Sequence, residues 1–408
     1  MKAVILAAGE GTRMRPLTAN LPKPLLPVAG KPFLRHTLEA VRQAGIREVT
    51  ILIGWQGHRI RESFGRGGDS ELVIDYEEQT ERLGTANAIG QLRKHVDGPF
   101  LSINGDVVVS GEALKGLVAY HEKAGGPVMA LAEVPDPRPF GVVELTDGRV
   151  SGLEEKPRAP KSHLINAGIY VFEPDIFPLI DATPKSQRGE YEITDTIRTL
   201  LTKRDVHGFR LPGEWLDVGR PWDLLRANAA LLKPLKGAVH GTVDAGATLV
   251  GEVLVEAGAH VRPGSHVEGP TIIGPEAEVG PNCYVRPSTA IGPKAKVGNA
   301  CEVKNSILMG GTHVPHQNYV GDSVLGERCN LGAGTKVANL RLDEANVRVR
   351  FGGAEVDTGL RKLGVIMGDD VKVGINASID AGTIIGEGTF IGPGASVRGN
   401  IAPRSRIF

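Results

Sequence analysis

From Val243 onward an aliphatic residue returns at every sixth position: Val243, Leu249, Val255, Val261, Val267, Ile273, Val279, Val285, Ile291, Val297, Val303 and Met309. Gly or Pro often follows within two places, as in Ile273-Gly274-Pro275 and Ile291-Gly292-Pro293. Such a series predicts a left-handed parallel β-helix of hexapeptide repeats. Each hexapeptide makes one short strand and one turn, its aliphatic residue points inward, and three hexapeptides close one coil. The frame breaks over Gly311 to Asp322 and resumes at Leu325, Leu331 and Val337. A second irregular stretch runs from Asn339 to Lys362, and the series returns at Met367, Val373, Ile379, Ile385, Ile391 and Val397. Loops that leave a rigid scaffold commonly carry function, so both irregular stretches are expected to be functional. A coil of three hexapeptides stacks Arg286 on Lys304, two cations placed as a phosphate clamp. It also stacks Cys283 on Cys301, read as buried thiols.

Composition changes where the repeat begins. Of 54 glycines, about twice average usage, 28 lie beyond residue 240, whereas Trp55, Trp215 and Trp222 all precede it. The expected plan is a domain over 1–225, a linker over 226–240 and the β-helix over 241–408. Lys plus Arg and Asp plus Glu both number 47, so no nucleic-acid or anionic-membrane partner is expected. No apolar run approaches the ~18 residues of a membrane span, and the apolar start of the chain breaks at Gly9, too soon for a signal peptide. Three cysteines cannot all pair internally, which favours a reducing cytoplasm.

The stretch 1–225 alternates strand and helix patterns. Strands are expected over Lys2 to Ala8, Val49 to Ile53, Leu72 to Asp75, Pro99 to Ile103 and Val128 to Leu131, with helices over Phe33 to Ala44 and Thr85 to His95. This alternation predicts an α/β fold, a doubly wound, mostly parallel sheet with ligand at the carboxyl ends of its strands. The glycine-rich turn Gly9-Glu10-Gly11-Thr12-Arg13 after the first strand lets backbone N–H groups approach phosphates. It is neither a Walker A sequence nor a three-glycine dinucleotide fingerprint.

The residues that follow are more specific. Leu6 to Met14, then Pro22-Lys23-Pro24-Leu25-Leu26-Pro27, Leu83-Gly84-Thr85-Ala86, Asn104-Gly105-Asp106, Glu154-Glu155-Lys156-Pro157, Asn166-Ala167-Gly168 and Trp215-Leu216-Asp217-Val218-Gly219 resemble the ordered signature of the sugar-1-phosphate nucleotidylyltransferases. The resemblance implies transfer of a nucleotidyl group to a sugar-1-phosphate with loss of pyrophosphate, a reaction governed by alignment and charge neutralisation. It assigns the nucleotide to Ala8, Gly9, Gly11, Thr12, Arg13, Lys23, Gln79, Gly84 and Thr85, with Arg13 and Lys23 neutralising the phosphates. Asp106 and Asp217 become ligands of Mg²⁺, and Asp106, Gly141, Glu155, Lys156 and Asn166 form the sugar-phosphate pocket. A glutamine at 79 can both donate to and accept from a pyrimidine edge, and since the guanylyltransferases tend to carry an acidic residue there, the resemblance implies UTP or dTTP.

The break in the β-helix resembles the acetyltransferase half of bifunctional N-acetylglucosamine-1-phosphate uridylyltransferase/glucosamine-1-phosphate acetyltransferases. Arg286-Pro287, Glu302-Val303-Lys304, His316, Tyr319-Val320-Gly321-Asp322, Asn330-Leu331-Gly332 and Asn339 keep that family's spacing, and after the irregular stretch Lys362 precedes Ile366-Met367-Gly368-Asp369-Asp370-Val371 as in the family. The resemblance makes His316 the base that deprotonates the amine attacking acetyl-CoA. Arg286 and Lys304 then hold the sugar phosphate, while Tyr319, Asn330, Asn339 and Lys362 complete the pocket. The insert before Lys362 is longer than in the bacterial enzymes, and the N-terminal signature leans towards thymidylyl- and guanylyltransferases; the combination resembles the archaeal-type bifunctional enzymes. A homotrimer is implied as well. Two rivals are a glucose-1-phosphate thymidylyltransferase or mannose-1-phosphate guanylyltransferase whose β-helix serves only assembly and regulation, and a non-enzymatic regulatory subunit.

Overall fold

The computed structural model describes residues 1–68 and 71–408. Its contacts divide the chain into two compact units: Met1–Glu10, Pro22–Leu25 and Phe33–Asp217 form one, and Gly11–Leu21, Leu26–Pro32 and Val218–Phe408 form the other.

The first unit is built on a nine-stranded sheet. Four parallel strands, Val73–Glu78, Glu48–Ile53, Lys2–Ala7 and Phe100–Asn104, lie side by side in that order. They contain buried apolar runs such as Val4-Ile5 and Ile51-Leu52, the pattern of strands covered on both faces. The sheet then turns mixed, because Leu164–Phe172 runs antiparallel to both Phe100–Asn104 and Val128–Glu133. Its far edge is the antiparallel pair Arg149–Glu155 and Gly141–Thr146. The parallel arrangement expected from the early strands therefore holds for the half that carries them. Helices Phe33–Gln43 and Gly111–Ala124 turn apolar stripes to the sheet. The helix expected over Thr85 to His95 ends at Gly90 and is followed by a 3₁₀ turn at Arg93–His95; a glycine inside a helix costs ~1 kcal/mol relative to alanine.

In the second unit three parallel faces wind into the β-helix, with nine, nine and eight strands among the described residues. The first face includes Thr271–Ile273 and Thr289–Ile291, the second Glu278–Val279 and Lys296–Asn299, the third Tyr284–Val285 and Glu302–Lys304. The inward aliphatic residues form one continuous core; Val261, Val279, Val297, Leu331 and Met367 are all buried. Each such burial stabilises the solenoid by roughly 1.5–3 kcal/mol relative to an exposed side chain.

Register corrects the frame read from the repeat. Val279 pairs with Val297, three full hexapeptides on, but Ile291 pairs with Leu308 and Val297 with Val314, each one position short of that. The step from Val303 to the next inward residue is thus five, to Leu308, and Val320 to Leu325 is five again. Met309, though buried, lies one place past the ladder position. Hence Gly311 to Gln317 is not a loop leaving the solenoid: His313–His316 is a regular strand of the second face. Both short steps, a still shorter step of four from Val397 to Ile401, and the insert between Val337 and Met367 fall at one corner, where the third face passes to the first. There Ser288, Asn305 and Asp322 adopt positive φ of 63°, 43° and 50°, a conformation Asn and Asp enter more readily than most residues.

The insert itself folds. Arg348–Phe351 and Ala354–Asp357 form a hairpin around Gly352-Gly353, both at positive φ, as a tight two-residue turn requires.

Two N-terminal segments belong to this second unit. The Ala29 N–H donates to Asn228 Oδ1 (2.8 Å), Asn228 Nδ2 donates to the Ser288 carbonyl (2.8 Å), and Asn20 Nδ2 donates to Asp369 Oδ2 (3.3 Å). Ala29, Leu232 and Ile272 share a small apolar cluster. Among the described residues no helix is long and apolar enough to cross a membrane.

Candidate functional site

In the first unit the parallel strands end side by side, and the residues just beyond them converge. Ala8 follows Lys2–Ala7, Gln79 follows Val73–Glu78, and Asp106 follows Phe100–Asn104. Glycines allow this crowding: a Cβ on Gly54 would stand 2.6 Å from the Ala8 carbonyl oxygen, and one on Gly105 would stand 2.6 Å from that of Leu6. Asp106 receives Lys23, Nζ to Oδ2 2.9 Å, with the lysine side chain 13% exposed. Asp217 is delivered by a two-residue strand that pairs Asp217 with Val107 and Leu216 with Val108. The residue paired with Asp217 is thus the immediate neighbour of Asp106.

That pair tests the expected metal. No group of three or more His, Cys, Asp and Glu able to hold an ion exists among the described residues. Mg²⁺ characteristically takes only one or two carboxylates, completing its shell with waters and phosphate oxygens. Asp106 and Asp217 fit that donor set.

Gln79 is buried, and its Nε2 reaches Asn87 Oδ1 at 3.5 Å, while Gln91 Nε2 holds the same oxygen at 2.9 Å. Gly84 has φ +114°, and a Cβ there would lie 2.5 Å from the Tyr191 carbonyl oxygen, so the position admits only glycine without rearrangement. Thr85 has a role the sequence did not indicate: its Oγ1 accepts the Ile193 N–H (3.0 Å), tying two helix starts together. Gly141 and Glu155 are partners across the antiparallel pair. Glu155 faces Lys156 at 3.8 Å and Arg188 at 3.4 Å. Asn166 donates to Tyr170 Oη (2.7 Å) and accepts the Gly168 N–H (3.0 Å). In the second unit, Gly11 (φ 67°) opens the 3₁₀ turn Thr12–Met14, and Thr18 Oγ1 donates to its carbonyl (2.7 Å). Arg13 in that turn is exposed.

The β-helix gathers part of its expected set at the irregular corner. Arg286 and Lys304 do stack, since Val285 pairs with Val303, yet neither is a bare cation. Arg286 Nη1 lies 3.1 Å from Glu302 Oε1, and this bond raises the guanidinium pKa further. Lys304 Nζ lies 3.1 Å from Asp322 Oδ2. Asp322, with its side chain 6% exposed, also accepts from Asn305 Nδ2 (2.8 Å) and from Asn339 Nδ2. Asn339 in turn donates to Tyr319 Oη (3.2 Å), and burial pushes the Tyr319 hydroxyl pKa up. The meeting takes place over Gly321, where a Cβ would stand 2.6 Å from Asn339 Nδ2 and 2.7 Å from Tyr319 Oη. Asp322 is thus the hub of the cluster. Sequence reasoning noted it in a motif but gave it no role; its one signal was a carboxylate placed three hexapeptides after Lys304.

Of the other expected residues, Lys362 lies beside the cluster, since the next N–H, that of Leu363, donates to the Asn339 carbonyl (2.9 Å), whereas His316 and Asn330 lie elsewhere. Lys362 is exposed and closes the insert by a bridge to Leu340. His316 is exposed at the corner between second and third faces, in register with Asn299. Asn330 faces outward on the second face beside His313. One chain therefore does not place His316 and Asn330 with the Asp322 cluster. A cleft of about 510 Å³ over the third face is lined by Tyr284, Glu302, Tyr319 and Lys336. Cys283, Cys301 and Cys329 are buried and unpaired, and burial pushes the Cys283 and Cys329 thiols up to about 12.

Three family models match the chain: Nucleotidyl transferase over residues 2–234, GMPPB C-terminal domain over 267–374, and Bacterial transferase hexapeptide (six repeats) over 364–399. The Bifunctional protein GlmU of Methanocaldococcus jannaschii is 42% identical over 387 residues, 95% of this chain and 92% of that one. A Sulfurisphaera tokodaii relative named bifunctional sugar-1-phosphate nucleotidylyltransferase/acetyltransferase is 37% identical over 95% of this chain and 94% of its own. A solved structure of UDP-glucose pyrophosphorylase complexed with UDP-glucose covers 57% of this chain and 98% of its own, with TM-score 0.53 and 25% identity. Relatives that match along the whole chain carry both halves, and the chain belongs with them to the archaeal-type GlmU proteins, bifunctional nucleotidyltransferases and acetyltransferases.

Proposed function

We propose that the chain makes UDP-N-acetylglucosamine in two steps. Acetyl-CoA first acetylates the amine of glucosamine-1-phosphate at the β-helix; uridylyl transfer from UTP, or the thymidylyl counterpart from dTTP, follows at the α/β unit with release of pyrophosphate. The observation that carries the acetyl half is the Asp322 hub, because a scaffold coil has no need of Lys304, Asn305 and Asn339 converging on one buried carboxylate. In the first step His316 takes the proton as the amine nitrogen attacks the thioester carbonyl, and the CoA thiolate leaves. Arg286 and Lys304 hold the sugar phosphate, and Tyr319, Asn330, Asn339 and Lys362 orient the ring.

In the second step a phosphate oxygen of the sugar-1-phosphate attacks the α-phosphorus, and pyrophosphate departs. Ala8, Gly9, Gly11 and Thr12 cradle the nucleotide backbone, Arg13 and Lys23 neutralise its phosphates, and Gln79 reads the pyrimidine. Gly84 and Thr85 shape the same wall. Gly141, Glu155, Lys156 and Asn166 take the sugar phosphate. Asp106 and Asp217 would hold Mg²⁺, which when bound shields phosphate charge and aligns the α-phosphate.

The separation on the solenoid surface between His316 with Asn330 and the Asp322 cluster supports a homotrimer in which neighbouring copies complete each acetyl-transfer site. Three buried thiols agree with a reducing cytoplasm. The match to a GMPPB C-terminal domain is the observation on the side of a guanylyltransferase with a structural β-helix. A product assay with glucosamine-1-phosphate, acetyl-CoA and each of UTP, dTTP and GTP decides between them. An acetylated uridylyl or thymidylyl sugar supports the reading, and GTP turnover without acetylation overturns it.

A further inference from the structure

The insert between Asn339 and Lys362 builds a second basic site. Its hairpin is held at several points. Val347 and Val349 are buried against Gly382, where a Cβ would stand 2.5 Å from Val347 Cγ1. Asn400 Nδ2 donates to the Arg350 carbonyl (2.5 Å), and the Phe351 ring meets Trp222 edge-on at 5.3 Å. Between this hairpin and the last coils lies a cavity of about 680 Å³, within the usual range for small-molecule sites.

Four arginines line it: Arg341, Arg348, Arg350 and Arg398. Arg341 is held by Asp343, and Arg348 faces Glu355 at 3.7 Å. Neither Arg350 nor Arg398 has an ion-pair partner among the described residues, although most cations nearby are paired. Two carboxylates also line the cavity, Asp343, occupied by Arg341, and Asp380, whose Oδ1 accepts the Ala381 N–H (2.8 Å). The balance is positive, and the unpaired charges are guanidinium forks, which match phosphate oxygens two at a time. Leu342, fully exposed, adds apolar surface to the same wall.

We propose that this cavity binds a ligand carrying two or more phosphate groups, through Arg350 and Arg398. Two sources share that chemistry: the phosphorylated nucleotide end of an acyl carrier thiol such as CoA, or a free polyphosphate such as released pyrophosphate acting as an effector. The first source rests on the acetyl-transfer reading above; the anion site itself does not.

The test is calorimetric titration of the full-length protein with inorganic pyrophosphate, CoA and dephospho-CoA, comparing wild type with Arg350→Gln/Arg398→Gln. Both side chains are exposed, so the variant should keep the wild-type melting temperature; Arg361→Gln, in the same insert, controls for lost charge. Tenfold or greater loss of CoA affinity in the double variant, with a smaller loss for dephospho-CoA and none in Arg361→Gln, supports the carrier source. The same loss for pyrophosphate alone supports the free anion. If the double variant binds all three as wild type does, or wild type binds none, the proposal is overturned. A protein that transfers no acetyl group yet binds pyrophosphate through these arginines would refute the acetyl-transfer reading and leave the anion site standing.

Discussion

Asp322→Asn is the sharpest perturbation of the acetyl-transfer half. The wild-type carboxylate accepts from Lys304, Asn305 and Asn339 at once. The amide keeps the volume but removes the charge and turns one acceptor into a donor, so at least one of the three donors meets an N–H₂. Breaking a fully buried ion pair costs about 3–5 kcal/mol. Here Lys304 is 20% exposed and can turn to water, which lowers that share to about 1–2 kcal/mol. Losing a charged acceptor for a buried amide adds about 1–2 kcal/mol. The expected total is about 2–4 kcal/mol. Because a solenoid's stability is a sum of local terms, the loss should appear as a fall of roughly 5–12 °C in the β-helix transition. Lys304 and Asn339 also lose their fixed positions, and Tyr319 its partner. Release of free CoA thiol with glucosamine-1-phosphate, measured well below the transition, should fall about 10- to 100-fold in kcat/KM, or about 1.4–2.8 kcal/mol, with nucleotidyl transfer unchanged. If kcat/KM stays within about twofold of wild type while the transition drops, Asp322 is a structural residue only.

Several other outcomes are expected. His316→Ala should lower acetyl transfer by about 10²–10⁴-fold, whereas Arg286→Ala should mainly raise KM for glucosamine-1-phosphate; full activity in His316→Ala refutes its role as base. Asp106→Ala and Asp217→Ala should each abolish Mg²⁺-dependent pyrophosphate release with acetyl transfer intact, and measurable release in either variant refutes that residue's assignment. Light scattering at micromolar concentration should give three times the chain mass, and a monomer would falsify the shared-site reading. Burial raises the folded-state pKa of all three thiols, those of Cys283 and Cys329 to about 12, so each contribution is complete below the unfolded value near 8.5 and is lost as pH climbs through that thiol's folded value. Chemical denaturation should therefore show stability falling between pH 8.5 and 10, by about 1 kcal/mol less in Cys283→Ala; an unchanged slope contradicts the burial argument.

The inward column of the β-helix was legible because it is a strict period set by one chemical requirement, an aliphatic side chain in a narrow core. Where that requirement is met twice in succession the sequence misleads. Leu308 and Met309 are both aliphatic and both buried, so the series runs one hexapeptide too far, and a strand bearing His316 looks like a loop. Only backbone pairing distinguishes them. The strand ends of the α/β unit, with Ala8, Gln79 and Asp106, were readable from motif order. The part played by Thr85 was not, since its partner Ile193 lies 108 residues away. The Asp322 hub escaped notice for a related reason: its donors are spread from Lys304 to Asn339, and coil geometry alone brings them together.

The allotment of Gly11–Leu21 and Leu26–Pro32 to the β-helix unit bears on how the protein is made. Lys2–Ala7 needs Phe100–Asn104 beside it, but the segment right after it must wait for partners such as Asn228, Ile272 and Asp369. At ~5–20 residues per second, Asn20 leaves the ribosome roughly 20–70 s before Asp369 does. During that interval the glycine-rich segment is a tether without its seat, and a ribosome stalled before the last coils carries Gly11–Leu21 without part of its packing. Synthesis of this enzyme therefore completes the packing of one of its first-made segments near the end.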